Sequence, residues 1–236
     1  MNWKAEHIKT IQSFLSFINL QSTNFVLKGD IALSAYYNHD RFTDDVCFDS
    51  TDKNFTSFVD EYCKNNNYEY CVDKDTSLMK RCFINYGNAE KLLKVEVSYR
   101  RKEIQQNETT VINGIRVYNI DNLCAMKTTA YSSKGKLNDL YDICFICNNY
   151  YNQLSDTTIS VLRNAIEYKG IEYFDYIVQT QQDELINKNK LAYDLLETYN
   201  RIGLIYGNEE KQIISSYVDK IKCLWRYAFF WYISFL

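Results

Sequence analysis

One short segment, 43–49, has closely spaced polar residues that could bind a metal ion or take part in catalysis. Polar side chains occupy its alternate positions, namely Thr43, Asp45, Cys47 and Asp49. Alternate residues of a β-strand point to the same face, so these four would share a face while Val46 and Phe48 point to the core. Carboxylates that lie close together repel one another unless a cation lies between them, and Mg²⁺ prefers such hard oxygen ligands. The segment therefore predicts an acidic strand face that could bind a divalent metal.

A second segment, 91–99, shows the same alternation. Its polar positions are Lys94, Glu96 and Ser98, and Val95 and Val97 lie between them. If this strand is a neighbour of the acidic strand, the carboxylates of Asp45 and Glu96 could meet across the two strands. The pair would then supply two oxygen ligands from two separate parts of the chain.

A glycine lies just upstream of the acidic strand. The apolar run 25–27 ends at Lys28 and Gly29, and a helical pattern follows at 31–37. Backbone N–H groups at the start of a helix attract phosphate, and glycine allows close approach. A phosphate-binding turn beside an acidic strand is the arrangement needed to bind a nucleoside triphosphate with its metal. The corresponding chemistry is in-line displacement at phosphorus, with metal ions screening the charge.

The spacing of apolar residues predicts the helices and strands on which these side chains lie. Helices are predicted at 4–20, 31–37 and 53–66, and strands at 25–27, 45–48, 69–73, 79–86, 91–99 and 109–118, the last with a turn at Asn113-Gly114. From residue 121 the pattern is helical, beginning with helices at 121–133 and 137–150. This order predicts an α+β fold, in which a mixed sheet flanked by helices precedes a C-terminal helical bundle. We place the boundary near Asn152, which gives domains of residues 1–151 and 152–236.

The composition is that of a globular protein. Of the 236 residues, 46% are hydrophobic and 24% charged, and the net charge of -3 gives no global attraction to nucleic acid or anionic membranes. The eight cysteines lack the spacing of a disulfide framework, which suits reduced thiols in a cytoplasm. The N-terminal segment lacks a secretory signal pattern. The apolar segment 223–236 is shorter than the roughly 20 residues of a spanning helix, so we expect a buried C-terminal helix and no membrane contact.

These motifs together resemble a known family. The segment 25–48 resembles the opening motif of the AbiEii/AbiGii-type nucleotidyltransferases, the toxins of bacterial abortive-infection and toxin–antitoxin pairs. That motif reads approximately Leu-Lys-Gly-Gly-Thr-Ala-Leu, a spacer, then Arg-x-Ser-x-Asp-Ile-Asp. The matching residues here are Leu27, Lys28, Gly29, Ala32, Leu33, Arg41, Thr43, Asp45 and Val46. Glu96 falls where the family carries its third carboxylate. The segment 123–146 resembles the late signature, with Lys127, Asp139 and Asp142 matching and Asn138 where arginine is usual.

The resemblance implies a polymerase-β-like nucleotidyltransferase fold and a reaction. The enzyme would transfer a nucleotidyl group from a nucleoside triphosphate to a tRNA 3′ end or a protein hydroxyl, with Mg²⁺ or Mn²⁺ as cofactor and a cognate antitoxin as partner. Asp45 and Glu96 would bind the metal, with Asp49 in reserve. The nucleotide would contact Lys28, Gly29, Asp30, Arg41, Thr43 and Lys127. The catalytic set would be Asp45, Glu96, Lys127, Asp139 and Asp142, the last two orienting Lys127 or taking part in acceptor chemistry.

Departures from the family pattern leave alternatives open. Cys47 stands where the family has its second aspartate, and a thiol is a poor Mg²⁺ ligand. Asp49 is on the same face but about 6 to 7 Å further along the strand. Asp30 and Ile31 replace a glycine and a threonine, and the Asp30 carboxylate would repel a triphosphate. One alternative is a catalytically inactive nucleotidyltransferase fold that acts as a binding module. Another is a helical adaptor that depends on the aromatic C-terminus.

Overall fold

The computed structural model describes residues 3–41, 43–87, 91–183, 185–205 and 216. The chain divides into two compact units, Met1–Leu123 and Cys124–Leu236. The division into functional domains near Asn152 stays a prediction. The predicted C-terminal helix at 223–236 lies outside the described residues.

Within its described residues, the first unit has three complete α-helices and a mixed sheet, as predicted. Its elements are α1 (Trp3–Gln21), β1 (Phe25–Lys28), α2 (Asp30–Tyr36), β2 (Asp45–Ser50), α3 (Phe55–Asn66), β3 (Glu69–Asp75), β4 (Met79–Asn85), β5 (Leu93–Ser98), β6 (Thr109–Ile112) and β7 (Ile115–Tyr118). The seven-stranded sheet has the order β3-β4-β5-β2-β1-β7-β6. The β2–β5 and β1–β7 pairs are parallel, and the other pairs are antiparallel. The acidic strand β2 therefore lies at the centre of the sheet.

Aromatic packing commits one face of β2 to the core. Val46 and Phe48 are 0% and 1% exposed. The ring of Phe14 in α1 lies 6.4 Å from that of Phe48 and 5.1 Å from that of Tyr62 in α3, measured between centroids. Burying side chains of this size contributes about 1.5–3 kcal/mol each. Because successive strand residues alternate, this packing directs Asp45 and Cys47 to the opposite face.

The β6–β7 hairpin closes as the sequence predicts. Asn113 and Gly114 both have positive φ, 51° and 78°. A two-residue turn of this kind matches the twist of the flanking strands, and Asn-Gly is its preferred sequence.

The second unit is helical where it is described. The helices are α4 (Ile120–Lys134), whose first residues belong to the first unit, α5 (Leu137–Tyr150), α6 (Asp156–Thr180) and α7 (Lys188–Arg201). Helix α6 is interrupted at Gly170, where φ is 72° and ψ is 172°. No described helix is long and apolar enough to cross a membrane.

The turn between α4 and α5 is fixed by the second half of α6 and the residue after it. The carbonyl oxygen of Gly135 accepts hydrogen bonds from Tyr173 Oη and Gln181 Nε2, each at 3.0 Å. The Leu137 N–H donates to Gln181 Oε1 at 2.8 Å. A Cβ atom on Gly135 would lie 1.7 Å from Tyr173 Oη, so no larger residue fits without displacing that tyrosine. These bonds hold α4 and α5 in a defined relation, which matters because both helices carry predicted site residues.

Candidate active site

The two predicted acidic strands, β2 and β5, are neighbours in the sheet. Their parallel register places Asp45 opposite Lys94 and Cys47 opposite Glu96. Residues opposite each other in a strand pair share a face, so both carboxylates lie on the face away from α1. Asp45 and Glu96 are therefore diagonal neighbours, and a lysine and a cysteine take the directly opposite positions.

Asp45 forms an ion pair with the residue across from it. Lys94 Nζ lies 2.5 Å from Asp45 Oδ2, and the two side chains are 26% and 40% exposed. Burial acts to lower the pKa of Lys94, but the hydrogen bond and charge of Asp45 outweigh it, and the pKa lies above its ordinary value. Lys94 therefore carries a positive charge at neutral pH.

Glu96 is paired with an arginine from the other side. Arg81 in β4 lies opposite Glu96 in the antiparallel β4–β5 pair. Its Nε and Nη2 atoms both lie 2.7 Å from Glu96 Oε2. Arg81 Nη1 also lies 3.1 Å from Asp73 Oδ2. The planar guanidinium thus fixes Glu96, whose side chain is 18% exposed.

Asp49 belongs to a more buried network. Its Oδ1 lies 2.5 Å from Lys28 Nζ, and its Oδ2 accepts a hydrogen bond from Tyr118 Oη at 3.1 Å. Arg101 Nη1 donates to the same tyrosine oxygen at 3.1 Å. Burial and the charge of Asp49 raise the pKa of Tyr118, which keeps its hydroxyl a donor. Both oxygens of Asp49 are engaged, so the geometry favours a structural role, and its role as a reserve metal ligand stays a prediction.

Cys47 lies in the middle of these pairs. Lys28 is opposite Cys47 in β1, and Glu96 is opposite it in β5. Burial raises the pKa of the Cys47 thiol to about 12, and the charges of Glu96 and Asp45 add to this effect. The thiol is neutral at physiological pH. Where the family pattern has a second negative charge, this chain therefore has none.

The glycine turn at the start of α2 has an aspartate, Asp30, where the family has a second glycine, and the charge of this aspartate is balanced by an arginine. Gly29 has φ 76°, a conformation that favours glycine. The next residue, Asp30, forms an ion pair with Arg41 at 2.7 Å between Oδ2 and Nη2, and the arginine side chain is only 6% exposed. The Arg41 charge offsets the repulsion that Asp30 would exert on a triphosphate.

A cavity of about 640 Å³ lies beside this ion pair in the first unit. Its polar lining includes Gln12, Ser34, Tyr36, Arg41, Thr43 and Asn113. Thr43 is 8% exposed, and its hydroxyl makes no hydrogen bond within the described residues. The cavity is of a size that accepts a small organic molecule. Two of the predicted nucleotide-binding residues, Arg41 and Thr43, thus line the same cavity.

The structure brings the three predicted site residues of the second unit together. Lys127 Nζ in α4 lies 2.6 Å from Asp142 Oδ2 and 3.4 Å from Asp139 Oδ1 in α5. The acids are three positions apart in the helix, which places them on one face. Lys127 and Asp139 are each 7% exposed and Asp142 is fully buried. Lys127 is therefore a buried and paired lysine, not one solvated at the surface of its helix.

The donor set of the sheet face fits one kind of metal site. Within the described residues, no group of three or more His, Cys, Asp or Glu side chains could hold a metal ion. Mg²⁺, however, is commonly bound by one or two carboxylates together with substrate phosphates. Asp45 and Glu96 fit this second arrangement, because each has one oxygen in no hydrogen bond or ion pair within the described residues.

Comparison with known proteins decides the family. The model described as "Nucleotidyl transferase AbiEii toxin, Type IV TA system" matches residues 17–198, which is most of the chain. The chain belongs to the AbiEii family. The predicted family and enzyme class, nucleotidyltransferase, are confirmed. The family generally uses a nucleoside triphosphate and a divalent metal, and its type implies an antitoxin partner in general.

Two solved structures resemble this AbiEii chain along nearly its whole length. JHP933 from Helicobacter pylori is 26% identical, with 97% of this chain and 98% of that chain covered and a TM-score of 0.69. A candidate nucleotidyltransferase from H. pylori is 27% identical, with 94% and 98% covered and a TM-score of 0.69. No curated protein matches the sequence. The nucleotidyltransferase-like fold predicted from the sequence is thereby confirmed.

The AbiEii motifs did not point to every residue that shapes this site. Lys94 was visible in the alternating pattern of its strand, but its role depends on the β2–β5 register. Arg81 and Tyr118 gave no signal, because each reaches its carboxylate from a strand outside the recognised motifs. An alternating pattern shows which residues share a face, whereas ion-pair partners also require the strand order.

Proposed function

We propose that this AbiEii protein transfers a nucleotidyl group from a nucleoside triphosphate to a hydroxyl of a tRNA or protein acceptor, with pyrophosphate as the leaving group. The observation that carries the proposal is the position of Asp45 and Glu96 on one face of adjacent parallel strands. The family assignment supports it. A cognate antitoxin would be its partner, and the cytoplasm its place of action.

The proposed roles of the sheet residues follow from their positions. Asp45 and Glu96 would hold Mg²⁺ or Mn²⁺ together with oxygens of the triphosphate. When bound, such an ion screens the negative charge that the phosphates carry and develop during transfer. Gly29 would let the phosphates approach the backbone, and Lys28 and Thr43 would lie beside them. Fixed donors of this kind lower the barrier because they need no reorganisation during the reaction.

The remaining roles are carried over from the family motif. Lys127 would neutralise charge on the triphosphate, and Asp139 and Asp142 would orient its ammonium group. Their burial and their distances of 3.4 and 2.6 Å from Lys127 Nζ support an orienting role. Arg41 would keep Asp30 compatible with a bound triphosphate by cancelling its charge.

A specific observation also favours the second candidate function, a catalytically inactive binding module. Asp45, Asp49 and Glu96 are each paired with a cation of the chain, and Cys47 supplies no charge. A sheet face that is already neutral has a weaker attraction for divalent metal than the family pattern.

Transfer of label separates the two candidates. The full chain is incubated with α-³²P-labelled ATP, CTP, GTP or UTP, Mg²⁺ or Mn²⁺, and tRNA or total protein. We expect label on one acceptor class with wild type and with Glu69→Gln, a control at an exposed acid of β3. Glu96→Gln should reduce the rate by about 10² or more. Nucleotide binding by calorimetry without any label transfer would instead establish the binding module.

A further inference from the structure

The ion pair between Lys94 and Asp45 places a positive charge beside a carboxylate that the proposed reaction needs for metal. Lys94 is directly opposite Asp45 on the neighbouring strand, so its ammonium reaches the carboxylate without leaving the sheet face. The Nζ–Oδ2 distance is 2.5 Å. A divalent ion beside the same carboxylate would meet this positive charge within a few ångströms, where like charges repel strongly.

The charges around the pair make this competition effective. Arg81 already neutralises Glu96 at 2.7 Å. Cys47, between the two carboxylates in register, brings no negative charge. The two candidate metal ligands and their two cations therefore sum to zero, and the exposed Asp73, which also pairs with Arg81, adds one further negative charge. A divalent ion held tightly requires more negative charge than this. A bound triphosphate would supply it.

The Lys94–Asp45 ion pair can separate readily, whereas the neighbouring Lys28–Asp49 pair on the same face cannot. Lys94 and Asp45 are 26% and 40% exposed, and exposed pairs are weak. Asp49 is 6% exposed, and its second oxygen is held by Tyr118. Lys94 can thus leave its carboxylate at little cost and turn its charge toward phosphate oxygens, while Lys28 stays in place.

We infer that Lys94 determines the metal affinity of this site, by competing for Asp45 so that a divalent ion is held tightly only together with a triphosphate. The inference rests on the proposed function. It assigns Lys94 a positioning and selectivity role. The coupling is reciprocal, since whatever the triphosphate adds to metal affinity the metal adds to triphosphate affinity.

Direct metal binding tests the inference without reference to activity. Mn²⁺ binding to the full chain is measured by electron paramagnetic resonance of the free ion, alone and with α,β-methylene analogues of the four nucleotides. For wild type we expect weak binding of Mn²⁺ alone and at least about tenfold tighter binding with one analogue. Lys94→Met keeps the side-chain stem and removes the charge. It should tighten binding of Mn²⁺ alone by about tenfold and shrink the effect of the analogue.

Two controls isolate the charge at this position. Lys94→Arg keeps the charge and should retain weak binding of Mn²⁺ alone. Lys80→Met removes a lysine of β4 that is opposite Val97 and so on the other face of the sheet, and it should behave as wild type. Cys47→Asp adds the missing negative charge by an independent route and should also tighten binding of Mn²⁺ alone.

The possible outcomes distinguish failure of the inference from failure of the proposed function. If an analogue tightens Mn²⁺ binding to wild type but Lys94→Met binds Mn²⁺ alone no better than wild type, the inference is wrong and the proposed function stands. If wild type binds no Mn²⁺ when an analogue is present and no analogue when Mn²⁺ is present, the proposed function fails as well.

Discussion

Replacing each of the two aspartates on one face of β2 by asparagine should affect two different properties of the protein. Asp49→Asn removes the charge from the buried pair with Lys28 but keeps an oxygen that can accept the Tyr118 hydrogen bond. Asp45→Asn makes the same chemical change at the exposed pair with Lys94. We expect the first to lower the free energy of unfolding and the second to lower metal affinity.

The magnitudes follow from the exposure of each pair. Breaking a buried ion pair by removing one partner costs about 3–5 kcal/mol. Asp49 is 6% exposed but Lys28 is 24% exposed and can be partly rehydrated, so we expect a loss of about 2–3 kcal/mol for Asp49→Asn. Asp45 is 40% exposed, and a pair of this kind contributes at most about 1 kcal/mol.

Urea unfolding with and without Mn²⁺ and a nucleotide analogue measures both effects in one experiment. Asp49→Asn should be destabilised by the same amount in both conditions and keep its ligand-induced stabilisation. Asp45→Asn should be nearly as stable as wild type without ligand and lose the ligand-induced gain. If the two variants lose equal stability, our interpretation of the Asp49 network is wrong. If Asp49→Asn alone loses the ligand response, Asp49 is a metal ligand.

Two further predictions concern the second unit and the buried thiols. Gly135→Ala should destabilise the protein by about 1–2 kcal/mol more than Gly114→Ala, because both add the strain of a positive φ but only the first displaces Tyr173 and loses its hydrogen bond. Equal urea midpoints for the two variants would contradict this steric account. Burial raises the pKa of Cys63 to about 12 from 9.0, so its thiol stays protonated in the folded chain while the unfolded chain ionises. The stability it contributes is complete below pH 9 and falls as the pH rises toward 12, by up to about 1.4 kcal/mol per pH unit. Urea unfolding at pH 8 and pH 10 measures the drop in the free energy of unfolding between the two pH values. That drop should be smaller for Cys63→Ala than for Cys71→Ala, an exposed control. Identical drops would refute this prediction.

Most of the fold could be predicted from local patterns. The alternation in β2 showed which residues face the core, because the side-chain period of a strand is two. The Asn113-Gly114 turn and the paired helices α4 and α5 were likewise visible in the sequence. In each case the signal lies within a few consecutive residues.

The pairing partners within the site could not be predicted. Whether Asp45 meets Glu96 or Lys94 depends on the β2–β5 register, and a shift of two residues would exchange them while leaving every face unchanged. Arg81 reaches Glu96 from β4, which is a separate segment of the sequence. The interruption of α6 at Gly170 could not be predicted either. A single glycine is tolerated in many helices, and only its backbone angles reveal the break.

The proposed site requires that Asp45 and Glu96 hold a divalent ion jointly with a triphosphate. A crystal structure with Mn²⁺ and an α,β-methylene nucleotide analogue, with anomalous data collected at the manganese edge, tests it most directly. We expect an anomalous peak in contact with an oxygen of Asp45, an oxygen of Glu96 and the triphosphate, with Lys94 Nζ moved away from Asp45. A bound triphosphate with its manganese elsewhere, and the Lys94–Asp45 pair intact, would contradict it.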